Sequence, residues 1–390
     1  MTIEPYSESM QPVNRLLALA IRGGLTPCER DELRILYRNV SVDATRKAAR
    51  QNKVEALVLE SLSRQLPDQD VNPEWKTWLA ENEQRVLRFQ EAWKSVAVRL
   101  DQMGCRHALV ENAGVLYGSF LPLAAFSAGD FDILIADNDW EDVKQAFTAE
   151  GFVPVDRRNR PTSRIEYRRE SPGGNEPIWL NVGARAFDRI WVPLKVSDRE
   201  SVWLSRTCPS RKDSSLMVLS PEDALAFVSM HTSLHSYVRS PGIRLHVDID
   251  RLVRDNPIDW DAYIAEVLAM NIPTRAFISL AMAAGLLGSP IPLNVFDKLC
   301  LDHERWQTIK QLLTEEGVFF TGKNKLKRMK AILLDYYLYE GRFCDWFGNV
   351  IYPSQEWLMN HFGRDIVSPE AYWILYCRRI TKAFSMWDPK

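Results

Sequence analysis

Two aspartates separated by one residue, in Gly129-Asp130-Phe131-Asp132-Ile133-Leu134-Ile135, are the residues of this 390-residue chain best spaced for chemistry. On a strand, residues two apart leave the same face about 6.6 Å from one another, so Asp130 and Asp132 stand side by side while Phe131 and Ile133 turn into the core. Hard oxygen ligands completed by substrate phosphates are the usual way Mg2+ is held. The bland alternative is an exposed strand end bearing two solvated acids.

Other groups carry weaker signals. His231 and His235 lie four apart on an expected helix and share a face, as metal-binding pairs do. No third ligand is signalled beside them, which favours a hydrogen-bonded structural pair. His246-Val247-Asp248-Ile249-Asp250 contains a second acid-x-acid pattern. In a helix those acids diverge by about 200° and cannot share an ion. Asp248 is then expected to pack beneath the aspartate pair, against an arginine or His231. Residues 156–170 hold six arginines against three acids. Arg157 and Arg158 in that stretch are candidates for gripping a triphosphate, an acidic peptide or an RNA backbone, since guanidinium forks suit such groups. A solvated, charge-protected strand edge is the alternative. A second basic cluster, Lys323, Lys325, Lys327, Arg328 and Lys330, reads as a solvated helix face.

The elements that must position these residues fall into three regions. Residues 1–104 are helical in character: apolar residues recur at three- and four-residue steps over 48–62, and residues 74–103 form a long stripe stopped by Gly104. Residues 105–215 alternate strands and helices, with strands over 106–110, 130–135, 152–155, 165–169 and 178–182 and a helix over 140–150. The last two strands flank Ser171-Pro172-Gly173-Gly174-Asn175, a hairpin turn. Residues 216–390 return to helix, beginning with Ser220 as N-cap and Pro221 at the first helical position. The expected fold class is α+β: a small mixed-sheet core with helical N- and C-terminal regions.

Composition narrows the function classes. Lysine plus arginine number 49 and aspartate plus glutamate 51, a balance unlike that of a dedicated nucleic-acid binder. The longest apolar stretch, 276–287, falls short of the roughly 18 residues a membrane span needs. Residues 1–10 carry acids and a proline where a signal peptide has a basic start and an apolar run. Six scattered cysteines without a CxxC pair read as reduced thiols. A cytoplasmic protein without membrane association is expected.

Residues 109–132 (LVENAGVLYGSFLPLAAFSAGDFD), the following strand and helix up to Gly151-Phe152, Leu219-Ser220-Pro221-Glu222-Asp223, His231, Asp248, Ile258-Asp259-Trp260, Ile351-Tyr352-Pro353-Ser354 and residues 372–379 together resemble a family of largely uncharacterised nucleotidyltransferases in the polymerase-β-like superfamily. The resemblance covers most of the chain, and its sharp motif is the aspartate pair. It implies a metal-binding site at Asp130 and Asp132 and Mg2+-dependent transfer of a nucleoside monophosphate from an NTP. Flanking helices would shape the acceptor site. Three positions depart from the family pattern. Glu111-Asn112 stands where a Lys-Gly pair opens the helix before the aspartates, Phe126 where an arginine is usual, and Trp179-Leu180-Asn181 where an acid-x-His strand is usual. The wider superfamily places a phosphate-cradling Gly-Ser pair about ten residues before the acids, and Gly118-Ser119 has that spacing. Glu166, Glu176 and Asp188 are the candidates for a third acid.

Two readings follow. One is a nucleotidyltransferase that binds Mg2+ and an NTP on Asp130 and Asp132, with Gly118, Ser119, Arg157 and Arg158 on the nucleotide and a small molecule, peptide or RNA as acceptor. The other is a catalytically degenerate relative that binds a peptide or protein partner in the former active-site cleft. Loss of the lysine, the arginine and the third carboxylate favours the second, and retention of the aspartate pair favours the first.

Overall fold

The protein is described here by a computed structural model covering residues 10–66, 73–155, 164–171, 176–187, 198–238, 242–319, 328–351, 368 and 370–377. Four short helices come first: α1 (Pro12–Ile21), α2 (Pro27–Asn39), α3 (Val42–Gln51) and α4 (Glu55–Gln65). Thr26 and Glu29 close a reciprocal capping box at the start of α2. The single helix expected over 48–62 is two helices. The Asn52 side-chain amide donates to the Ala48 carbonyl at 2.9 Å and Lys53 adopts a left-handed φ of 54°, which ends α3 and restarts the chain as α4. No glycine or proline marks that break in the sequence, so periodicity alone ran through it.

Helix α5 (Pro73–Gln102) then spans 30 residues, close to the stripe read from the sequence. Strand β1 (His107–Val110) leads into α6 (Glu111–Gly118), and β2 (Phe131–Ile135) into α7 (Trp140–Ala149). Next come β3 (Val153–Val155), β4 (Arg164–Arg169), β5 (Ile178–Gly183), α8 (Glu200–Ser205), β6 (Cys208–Pro209) and β7 (Met217–Val218). Among the described residues these strands make one mixed sheet in the order β3-β4-β5-β2-β1-β7-β6. Strands β4 and β5 form the expected antiparallel hairpin, while β5 runs parallel to β2. Helices α9 (Pro221–Leu234), α10 (Arg244–Asp255), α11 (Trp260–Ala269) and α12 (Pro273–Leu287) follow, then α13 (Leu293–Leu299), α14 (His303–Glu316), α15 (Arg328–Tyr337) and α16 (Phe343–Ile351). The fold is α+β, as the sequence indicated. Ser220 accepts from the Asp223 amide in its expected role as cap of α9.

Packing joins elements that are distant in sequence. The apolar stripe of α5, including Phe89, Trp93 and Val96, lies in one cluster with Phe131, Phe147 and Tyr167 of the sheet unit. Helices α1 and α4 instead share a second cluster with α9, α10 and α12, where Leu16–Ile21 are almost wholly buried. The aromatic ring of Phe131 is surrounded by Phe89, Tyr117 and Phe126 at centroid distances of 5.5, 5.7 and 5.5 Å. That packing anchors the start of β2, where the two aspartates sit.

A buried acid fixes α9 and α11 relative to the chain that leaves β5. Glu266 on α11 accepts from Arg199 Nε and Nη2 at 2.8 and 2.9 Å, from Trp203 Nε1 at 2.8 Å and from Arg206 Nη2 at 2.7 Å. Arg206 also grips Asp223 at the start of α9. Burial works against the Glu266 charge, but the hydrogen bonds from Arg199, Arg206 and Trp203 outweigh it and hold the carboxyl at about 2. A depressed folded-state value contributes stability that is complete above the ordinary glutamate range and lost as pH falls through about 2. Glu266→Gln is therefore expected to cost about 2–3 kcal/mol at pH 7, below the 3–5 kcal/mol of a fully buried pair because Arg206 is 44% exposed. Urea unfolding should show the gap between parent and variant narrowing from pH 7 to pH 3. A gap independent of pH would mean that packing, not charge, makes the link.

Candidate functional site

Asp130 immediately precedes β2 and Asp132 is its second residue, and the loop that delivers them is held from α5. Asn82 Nδ2 donates to the carbonyls of Ala124 and Phe126 at 2.8 and 2.9 Å, and Arg85 Nη1 donates to the Ala128 carbonyl at 3.0 Å. Phe126, where the resemblance implies an arginine, is buried against Phe131. A cation nevertheless reaches this neighbourhood: Arg85 feels the charges of Glu176 and Asp130. Sequence reading missed it because α5 lies more than forty residues upstream.

Cross-strand register assembles the rest. Asp132 on β2 lies opposite Asn181 on β5, which lies opposite Glu166 on β4, so the three form a row on one face of the sheet. Asn181 Nδ2 donates to Asp130 Oδ2 at 2.7 Å and to Asp132 Oδ1 at 3.3 Å. In the acid-x-His strand that the resemblance implies, Trp179 stands at the acid and Asn181 at the histidine, and the Asn181 amide bridges the aspartates. Glu166, one of the expected stand-ins, is one strand further along the row and adds to the negative potential at Asp130. Glu176 is exposed, and Asp188 lies outside the described residues. Asp132 is only 5% exposed, which overturns the picture of a solvated strand end.

Glu111 brings another carboxylate to the cluster. It follows directly from β1, whose Val110 pairs with Asp132, and takes a left-handed φ of 51°. For a non-glycine residue such backbone costs on the order of 1–3 kcal/mol, and such strain concentrates at functional sites. Its Oε1 accepts from Arg164 Nη1 at 2.8 Å, and its Oε2 lies 3.8 Å from His231 Nε2. The same Arg164 nitrogen is 3.3 Å from Asp132 Oδ1. The sequence marked Glu111 only as a lost lysine, and Arg164 only as one of six hairpin arginines.

The electrostatics follow from too many acids around one guanidinium. Burial first, then the Glu111 charge, push Asp132 well above the usual carboxylate range, with Arg164 opposing. Burial also raises Asp130, against the Asn181 hydrogen bond. Burial acts upward on Glu111 too, but Arg164 and His231 overcome it and hold this carboxyl low. The cluster therefore keeps Glu111 ionised while disfavouring charge on Asp132.

The remaining sequence candidates separate clearly. Gly118 ends α6 and Ser119 follows it, fully buried, at the opposite end of that helix from Glu111. The Ser119 carbonyl accepts from Lys212 Nζ at 2.6 Å and the Gly118 carbonyl from Asn256 Nδ2 at 3.2 Å, while the Phe120 amide is taken by Asp255. A phosphate cradle needs free amides at a helix start. This pair presents carbonyls at a helix end, and the structure does not bring it to the aspartates. Arg157 and Arg158 lie outside the described residues. His231 and His235 pack as a T-shaped ring pair with centroids 5.0 Å apart, beside Glu111 rather than a third histidine or cysteine. Asp248 is buried on helical α10 and accepts from Arg244 Nε at 3.3 Å, as expected. Asp250 faces away to Arg254 and Ser289. Among the described residues, no three His, Cys, Asp or Glu side chains are arranged to hold a metal ion.

A family described as uncharacterised nucleotidyltransferase has a model that matches residues 38–288, and the chain belongs to that family. The match contains the sheet, the aspartate pair, Glu111, Arg164 and the helices α9 and α10. No curated protein matches the chain.

Asn181 offers a direct test of the row. Asn181→Asp replaces a bridging donor with a further carboxylate and should destabilise the protein by about 1–3 kcal/mol without added metal. Millimolar Mg2+ should recover much of the lost melting midpoint, because the ion then relieves the repulsion. A variant that melts like the parent and ignores Mg2+ would show that Asn181 does not hold the aspartates together.

Proposed function

We propose that this member of the nucleotidyltransferase family binds one Mg2+ and an NTP at Asp130 and Asp132 and transfers the nucleoside monophosphate to a hydroxyl or phosphate of an acceptor. The observation that supports this reading best is the bridged pair itself: two carboxylates two residues apart at the start of β2, tied by a single amide nitrogen. The residues present fit one ion. The donor set is hard oxygen, the cluster carries more carboxylates than cations, and the buried Asn181 Oδ1 has no hydrogen-bond partner. Reorienting that amide turns an oxygen toward the aspartates.

When bound there, Mg2+ supplies charge neutralisation at the phosphates. In the reaction an acceptor oxygen forms a bond to the α-phosphorus, giving up its proton to water when it is a hydroxyl, while the bond to pyrophosphate breaks and pyrophosphate leaves. The chain's own contribution is position and field. The Phe131 cluster and the α5 bonds to the loop fix the aspartates, while α9 brings His231 beside Glu111 and α10 brings Arg244, which also holds Asp248, onto Asn112. Positive charge for the phosphates comes in this reading from Arg164 and Arg85, with Arg157 and Arg158 as further contacts, in place of the lysine absent at Glu111. The acceptor is a small molecule, a peptide or an RNA, and the cytosol supplies both NTP and Mg2+. Among the described residues no helix is long and apolar enough to cross a membrane.

One observation favours a second reading, in which the cleft binds a peptide or protein partner without turnover: Arg164 and Asn181 already donate to Asp132. Thermal melting decides between the two. A ligand that binds only the folded state at one hundred times its dissociation constant adds about 2.7 kcal/mol. At about 2–4 °C per kcal/mol, the correct NTP with Mg2+ should raise the midpoint by roughly 5–10 °C. Asp130→Asn and Asp132→Asn should each abolish that shift. If all four NTPs with Mg2+ or Mn2+ leave the midpoint within about a degree, the partner-binding reading takes over.

A further inference from the structure

Arg164 occupies a seat built by four separate parts of the chain. It opens β4 directly opposite Gly183 of β5. A Cβ on Gly183 would lie 2.8 Å from Arg164 Cγ and 3.4 Å from its Nε, so the arginine stem passes only because that residue is glycine. Beyond the stem, Nη2 donates to the Ala186 carbonyl at 2.9 Å. Nη1 ends between Glu111 Oε1 at 2.8 Å, on the strained turn into α6, and Asp132 Oδ1 at 3.3 Å on β2. Glu111 and Asp132 are largely shielded from water, so their charges are weakly screened and need a neighbour.

We infer that Arg164 is the resident cation of the acid cluster: without ligand it pairs with Glu111 and shares its guanidinium with Asp132, and it exchanges onto a phosphate when metal and nucleotide arrive together. The inference rests on the proposed reading of Asp130 and Asp132 as metal ligands and adds an order of events to it. Asp132 Oδ1 already accepts from both Arg164 Nη1 and Asn181 Nδ2. A free divalent ion approaching that oxygen meets a fixed positive charge at hydrogen-bond distance and is repelled. A metal bound to a triphosphate brings its own anion, which offers the guanidinium a bidentate partner. Position 111 carries a carboxylate on the β1 side of the aspartates, and β4 brings a cation from the other side.

The experiment measures free Mn2+ by electron paramagnetic resonance in titrations of nucleotide-free protein at fixed ionic strength. Arg164→Gln should bind Mn2+ at least about tenfold more tightly than the parent, since a competing unit charge is gone. The gain should vanish in Arg164→Gln combined with Asp132→Asn. Binding of ATP in the presence of Mn2+ should weaken in Arg164→Gln. Gly183→Ala provides a second route if Arg164→Gln does not fold: it crowds the stem, displaces the guanidinium without removing it, and should also raise Mn2+ affinity. Equal Mn2+ affinity in the folded parent and the variants would overturn the inference while leaving the metal site standing. Absence of Mn2+ binding in every variant would overturn both. Tighter Mn2+ binding with ATP binding unchanged would make Arg164 a fixed plug and overturn the exchange.

Discussion

The charge balance between one guanidinium and the carboxylates of Glu111, Asp130 and Asp132 governs how the centre of this protein is put together. Carboxylates withdrawn from water must be paired, protonated or bound to metal, because an isolated buried charge is far costlier than any single packing defect. Here Arg164 pairs two of them and Asn181 ties the third to the group. The strained φ at Glu111, the glycine opposite Arg164 and the orphaned Asn181 oxygen all sit around that balance. Each is a local departure from what would be most stable by itself, and all of them meet within one cluster.

The surrounding fold serves this cluster by rigidity. Helix α5 packs on the sheet and also reaches the loop before β2 through Asn82 and Arg85, so one element both fills a core and places the aspartates. On the far side, Glu266 and its arginines tie α9 and α11 to the segment leaving β5, which sets where His231 stands relative to Glu111. Helices α1 and α4 complete the core beneath α10 and α12.

Much of this was legible in the amino-acid order. The stripe of α5, the strand that carries Asp132, the pairing of β4 with β5 and the Ser220-Pro221 helix start are local signals, decided by periodicity and capping within a few residues. So was the divergence of Asp248 from Asp250, which follows from helix geometry alone. The break at Asn52-Lys53 escaped because a side-chain amide, not a glycine, ended the helix.

What the order could not contain is which distant residues meet. Asn181 lies between the aspartates because β5 runs parallel beside β2 in one register, and a shift of one residue would turn it to the other face. Arg164 reaches Glu111 and Asp132 across two strands, and Arg85 arrives from a helix far upstream. Gly118-Ser119 had the right spacing in sequence, yet α6 carries it to the wrong end, where carbonyls and not amides are presented. Sequence determined the paired acids and the elements that bear them. Tertiary structure alone decided their burial, their counter-ion and their charge, because Coulomb interaction and desolvation depend on distance in space and not along the chain.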